Sequence, residues 1–226
     1  MSGQSLQGDA GFGIDQDTVA YVASQIKGVR DMDVEIAVAV GGGNIWRGEQ
    51  SALSGIDRAT ADYMGMLATV INALALKGAL ERLDVETRVQ SAITMSQVAE
   101  SYIRETAMEH LKKGRVVIFA AGTGNPYFTV DTAGALRALE VGAEVLLMAK
   151  NRVDGVYTDD PIRNPEAQRY DRLSYIDALA QGLGVMDSTA LSLCMDNHLP
   201  IVVFDLGNPD TLERLIVGDE VGTLIS

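Results

Sequence analysis

Cysteine is almost missing: Cys194 is the only one in 226 residues. A single thiol can form neither an intramolecular disulfide nor a zinc-finger spacing, so a reducing compartment is expected. Its place in an apolar helical run reads as a buried structural thiol rather than a nucleophile. Positive charge is scarce too, with 18 Lys+Arg against 31 Asp+Glu and a net charge of −13. Without a basic block, such a chain repels nucleic-acid backbones and anionic membranes. The opening MSGQSLQGDAGFGID has no basic stretch followed by an apolar one, and no later apolar run reads as long enough to span a bilayer. A soluble cytoplasmic protein is expected, with no membrane or nucleic-acid partner. His110 and His198 lack the partner spacing of a metal site or a triad, so no dedicated metal site is expected. The nucleotide signatures GxxxxGK[ST] and a helix-opening GxGxxG are also absent. No internal repeat or low-complexity tract occurs.

What is present is 47% hydrophobic residues, ample for the core of one α/β domain. Two β-branched apolar runs, 34–40 and 116–121, read as buried strands that break abruptly into glycine. The first ends in Gly41-Gly42-Gly43-Asn44, the second in Gly122-Thr123-Gly124-Asn125-Pro126. After the second the apolar period becomes helical through Ala133, Leu136 and Leu139, with Thr129 as a plausible N-cap. Glycine lets backbone approach a ligand closely, and the free amides of a helix start attract anions. If the two strands are parallel neighbours, their turns converge on one rim, where Arg47 adds a guanidinium suited to phosphate. A phosphate-rich ligand is the expected guest.

The remaining chain alternates. Helices are predicted from Asp15 or Asp17 to about Val29, over 57–83, 96–113, 174–180 and 187–197, and after Pro209. Strands are predicted at 87–91, 143–148, 201–204 and 221–225, and a long polar connection at 150–172 holds Pro161 and Pro165. Such alternation implies a mostly parallel sheet covered on both faces, with ligands beyond the carboxyl ends of the strands. Residues 1–15, glycine-rich and without period, read by themselves as a flexible tail. Asp62 reads either as an exposed acid or as an acceptor for sugar hydroxyls. Asp131 either complements a helix dipole or orients a cation, and Asp187 suits a helix cap.

The segments GGGNIWRG, DYMGMLATVINALAL, AAGTGNPYFT, AKNRVDGVYTDDP and VMDSTALSL, in that order across almost the whole chain, resemble the uridylate (UMP) kinases of the amino-acid kinase family. The resemblance implies one αβα sandwich over 1–226 around a mostly parallel sheet, 1–149 serving mainly UMP and 150–226 mainly ATP. It implies transfer of the ATP γ-phosphoryl to UMP with Mg²⁺, a homohexamer, inhibition by UTP and activation by GTP. Carried over, the UMP positions are Gly42, Asp62, Thr123, Gly124, Asn125, Pro126, Tyr127, Phe128, Thr129 and Val130. The ATP positions are Ser2, Gly3, Gly43, Arg47, Asn151, Tyr157 and Asp160. Asp187, Asp131 and Lys150 would organise charge at the transferring phosphoryl. Gly8, Asp9, Ala10, Gly11, Phe12 and Gly13 match the segment tied to GTP, which would make the apparent tail an ordered loop.

Two departures accompany the resemblance. Val130 stands where many members have a second threonine. Members also begin with a strand followed by K-[LI]-S-G, whereas this chain begins Met1-Ser2-Gly3, so the family's first strand and lysine are expected to be absent from it, through a misassigned start or a real truncation. Two rivals follow: a nucleotide-binding regulatory form with impaired turnover, and a kinase of the same fold acting on a carboxylate or carbamate.

Overall fold

The computed structural model describes residues 1–47, 55–150, 153–161, 163–183 and 186–226. Its first helix, α1, Gln16–Arg30, begins where the Asp15 carboxylate accepts from the Thr18 amide and buries the predicted stripe Val19, Val22, Ile26 and Val29. The first strand, β1, is Ala37–Ala39, shorter than the predicted 34–40. The long helix α2, Arg58–Glu81, is capped by Asp57. It is followed by β2, Thr87–Ser91, and β3, Glu100–Ser101. The helix predicted over 96–113 is confined to α3, Arg104–Lys112, because the chain first turns and pairs β3 beside β2. Then come β4, Val116–Ala120, and α4, Val130–Val141, capped by Thr129 as predicted.

The carboxyl half continues with β5, Leu146–Lys150. The predicted polar connection is partly structured, because β6, Val156–Tyr157, and β7, Arg169–Tyr170, pair as an antiparallel hairpin. After β8, Arg172–Leu173, come α5, Tyr175–Ala180, and α6, Ser188–Asp196. The chain closes with β9, Ile201–Asp205, α7, Thr211–Ile216, and β10, Thr223–Ile225.

Eight of these strands form two four-stranded sheets. In the first, ordered β1-β4-β2-β3, every pairing is parallel. In the second, ordered β5-β9-β10-β8, only β10 against β9 is antiparallel. Alternation along β4 sets the layers. Val116, Ile118 and Ala120 face a core shared with α1 and α2, whereas Val117 and Phe119 face Ala107 and Leu111 of α3. A sheet with helices on both faces is the expected αβα arrangement. A second core gathers Met148, Leu191, Cys194, Ile201 and Ile225 around the carboxyl-terminal sheet.

Three local expectations change. α2 is long and apolar enough to cross a membrane, contrary to the reading that no run suffices, yet half of its apolar window is buried within the fold. It packs on α1, β2 and β4 as a core helix. The apolar stripe predicted for α4 is displaced: Ala133, Ala135 and Ala138 are buried, and so is Arg137, while Leu136 and Leu139 remain partly exposed. Arg137 is tolerated inside because it pairs with Glu140 at 2.6 Å and lies 3.6 Å over the Tyr102 ring. The supposed tail is ordered, with 3₁₀ turns at Gly3–Leu6 and Gly8–Ala10 and Leu6 fully buried.

Cys194 lies in the second core, and burial pushes its thiol up to about 11. The thiolate is the reactive form, so labelling with an aromatic disulfide reagent at pH 8 is expected to be silent until denaturant unfolds the chain. Rapid stoichiometric labelling of the native protein would contradict this burial.

Candidate functional site

The turns after β1 and β4 share one rim, as the parallel β1–β4 pairing requires. A cavity of ≈ 270 Å³ opens there, lined on one side by Ser2, Gly3, Gly41, Gly42 and Gly43 and on the other by Gly122, Thr123, Asn125, Phe128, Thr129 and Val130. Its floor is one face of α2: Asp62, Gly65, Met66 and Thr69. These lie at i, i+3, i+4 and i+7, one helical stripe. The volume sits near the lower end of the about 300–1,000 Å³ usual for ligand pockets, room for one small molecule.

The glycines are set by close approach. A Cβ on Gly42 would lie 2.6 Å from the Gly65 carbonyl oxygen and 2.9 Å from Ala68 Cβ, so the first turn rests directly on the α2 backbone. Two buried amides hold it there. Asn72 Nδ2 donates to Gly41 O at 2.7 Å and to Asn44 Oδ1 at 2.7 Å, while Asn44 Nδ2 donates to Asn72 Oδ1 at 3.0 Å. Asn44 also reaches the ordered amino-terminal segment, donating from Nδ2 to Gly13 O at 2.6 Å and accepting the Gly13 amide at its own carbonyl at 2.8 Å. The 8–13 segment is thus tied to the glycine turn at its last residue, Gly13, with Phe12 projecting into solvent.

The second turn is gripped by α2 at two residues with left-handed backbone. Ala121, at φ 61°, donates its amide to Thr69 Oγ1 at 2.7 Å. Tyr127, at φ 71°, donates its amide to Asp62 Oδ2 at 2.8 Å. Left-handed non-glycine residues are strained and persist only where neighbours over-determine them. Thr69 and Asp62, two helical turns apart, supply those neighbours.

Beside the cavity the starts of α4 and α6 meet. Thr129 Oγ1 accepts the amides of Asp131 and Thr132 as the α4 cap and donates to Asp187. Asp187 caps α6 by accepting the Ala190 amide at 2.8 Å, and Thr132 Oγ1 donates to both of its oxygens at 3.1 and 2.9 Å. Burial raises the Asp131 carboxyl above its usual range; Lys150 and the Met1 amine oppose the shift, and Asp187 adds to it. Asp131, Asp187 and Lys150 therefore share one electrostatic neighbourhood.

Of the residues singled out from sequence, Ser2, Gly3, Gly42, Gly43, Asp62, Thr123, Asn125, Phe128, Thr129 and Val130 line the cavity together. Gly124, Pro126 and Tyr127 complete the second turn without lining it. Arg47 is exposed, and its Nε donates to Gly43 O at 3.1 Å. Tyr157 donates its hydroxyl to Asp154 at 2.7 Å, and Asp160 pairs with Arg163 at 3.3 Å in an exposed turn; neither residue lines the cavity. Asn151 lies outside the described residues. Sequence reasoning passed over Trp46, Gly65, Met66 and Thr69, although the seven-residue step from Asp62 to Thr69 on a helix carried that signal.

A family model described as the amino acid kinase family matches residues 2–205. The chain belongs to the amino acid kinase family. Among solved structures, it is similar to the UMP kinase from Bacillus anthracis, at 40% identity and a TM-score of 0.97, covering 100% of this chain and 93% of that one. It is similar to the UMP kinase from Ureaplasma parvum at 40% identity and TM-score 0.93, covering 100% and 95%. The uridylate kinase from Archaeoglobus fulgidus matches at 28% identity and TM-score 0.76, covering 100% and 97%. The fold of this family member is thus shared along the whole of this chain with those structures.

Proposed function

We propose that this member of the amino acid kinase family transfers the γ-phosphoryl of ATP to UMP, giving UDP and ADP for pyrimidine nucleotide synthesis. The observation that carries the reading is the α2-floored cavity, where both glycine turns meet Asp62 in a chain 40% identical to two UMP kinases. Gly42, Asp62 and the run from Thr123 to Val130 hold UMP, Asp62 accepting from the ribose hydroxyls and the turn amides facing the phosphate. Ser2, Gly3, Gly43 and Arg47 hold the ATP phosphates; Asn151, Tyr157 and Asp160 serve the rest of ATP.

A UMP phosphate oxygen, already ionised at neutral pH, attacks the γ-phosphorus in line, so no general base is needed. Catalysis is then positioning plus charge stabilisation, to which Lys150, Asp131 and Asp187 contribute beside Thr129. Among the described residues no group of three or more His, Cys, Asp or Glu side chains could hold a metal by itself. The neighbouring Asp131 and Asp187 carboxylates fit Mg²⁺ arriving on ATP, since this ion takes one or two carboxylates plus phosphate oxygens and water. Asp131 would be the carboxylate that serves it, and the bound ion would supply charge neutralisation.

Finer features follow the same reading. The chain works as one domain, 1–149 mainly on the UMP side and 150–226 mainly on the ATP side, with Ser2, Gly3 and Gly43 bringing the ATP phosphates to the rim of the same cavity. The outward face of α2 exposes Tyr63, Leu67, Ile71 and Leu74, which supports self-association, as a homohexamer. UTP inhibits by occupying the UMP cavity, and GTP activates through Gly8 to Gly13, supported by the Gly13–Asn44 hydrogen bonds. A buried thiol and nucleotide substrates suit the cytoplasm.

A coupled assay is expected to show UMP-dependent ADP release, with CMP, acetylglutamate and carbamate far poorer acceptors. Absence of UMP-dependent release, or preference for another acceptor in that panel, would overturn the assignment.

A further inference from the structure

Arg58 opens α2, a position where the helix dipole disfavours a cation. Its Nε lies 2.9 Å from both Asp62 oxygens, and its guanidinium carbon 5.7 Å from the centroid of the Tyr127 ring. An ordinary i,i+4 surface pair is worth little. This one differs because the acceptor is shared: Asp62 Oδ2 also takes the Tyr127 amide at 2.8 Å, and Tyr127 is the strained left-handed residue of the second turn. The Asp62 side chain is 15% exposed against 60% for Arg58, so the cation covers the outer side of an acid whose inner side faces the cavity.

From this geometry we infer that Arg58 is a positioning and specificity-determining residue. It clamps the Asp62 carboxylate and the Tyr127 turn into one unit, leaving Asp62 the lone pairs that accept from a ligand's vicinal hydroxyls. The inference rests on the UMP reading above. Without Arg58 the carboxylate keeps only the Tyr127 amide as a donor and that anchor of the turn on α2 loosens, which weakens nucleotide capture more than phosphoryl transfer. A vicinal diol needs both contacts, so discrimination between UMP and 2′-deoxy-UMP falls with the clamp.

The test is steady-state kinetics of Arg58→Ala and Arg58→Lys beside wild type, with hydrogen exchange of the ligand-free proteins. Arg58→Ala is expected to raise the KM for UMP about tenfold, the loss of one charge-assisted contact, with smaller changes in kcat and in the KM for ATP. Its preference for UMP over 2′-deoxy-UMP drops, the Tyr127 amide exchanges faster, and Arg58→Lys restores part of each. An unchanged KM for UMP with unchanged exchange at Tyr127 would overturn the clamp. So would parallel losses in kcat and both KM values, which mark general damage. If wild type itself ignores UMP, the function assigned above fails, while exchange at Tyr127 still judges the clamp.

Discussion

Asn72→Leu is expected to destabilise the protein by about 2–6 kcal/mol, since each buried polar group left without a partner costs about 1–3 kcal/mol and two are orphaned. Asn72 is fully buried, and its side chain serves both Gly41 O and the Asn44 amide. Leucine keeps roughly the volume and removes both interactions. Against a net stability of about 5–15 kcal/mol this is a large fraction, and a melting point lower by about 4–24 °C should accompany it. The loss should not be confined to stability, because the glycine turn is fixed to α2 through this amide pair. UMP binding weakens in the surviving folded population, and so does the hold on Gly13. Urea titration followed by the fluorescence of Trp46, a cavity-lining residue, reads both. A shift below about 1 kcal/mol would mean that the carbonyl and amide find other partners.

Asp187→Asn is expected to lower kcat by about 10²–10³, the usual consequence of removing one preorganised electrostatic group. The separation of charge from structure makes this substitution informative. Asparagine caps helices about as well as aspartate, so α6 keeps its start and stability should change by less than about 1 kcal/mol. Thr132 keeps an acceptor at the amide oxygen that also caps Ala190, and only the Thr129 hydroxyl, which met the other carboxylate oxygen, loses its acceptor. What disappears is the negative charge beside Asp131 and Lys150. Asp187→Ala, by contrast, removes the cap and both threonine partners together, so it should lose stability as well as turnover. Initial rates with saturating UMP and ATP, beside thermal melts, separate the two. A kcat within a few-fold of wild type for the asparagine variant would reduce Asp187 to a cap.

Much of this was legible in the chain itself, for identifiable reasons. Strands ending in glycine, such as 116–121 before Gly122, and capped helices, such as those begun by Asp15, Asp57, Thr129 and Asp187, are local signals that packing left intact. The convergence of two glycine turns required only parallel neighbouring strands, which β1 and β4 supply. The signals that misled were those settled by distant partners. Helical period at 96–103 yielded to pairing of β3 on β2, and Arg137 went inside because Tyr102 and Glu140 received it. The amino-terminal 15 residues lack any period, yet Leu6 fills the core and Asn44 holds Gly13. The grips of Thr69 on Ala121 and of Asp62 on Tyr127 span 52 and 65 residues and leave no local trace.

Tyr63, Leu67, Ile71 and Leu74 look outward from the same rod whose opposite flank carries Asp62, Met66, Thr69 and Asn72. A rigid rod cannot translate or roll on one flank without moving the other. Whatever settles against the outer flank would therefore set the height of the pocket floor, so under the proposed self-association a second copy docked there would tune nucleotide affinity through α2 alone.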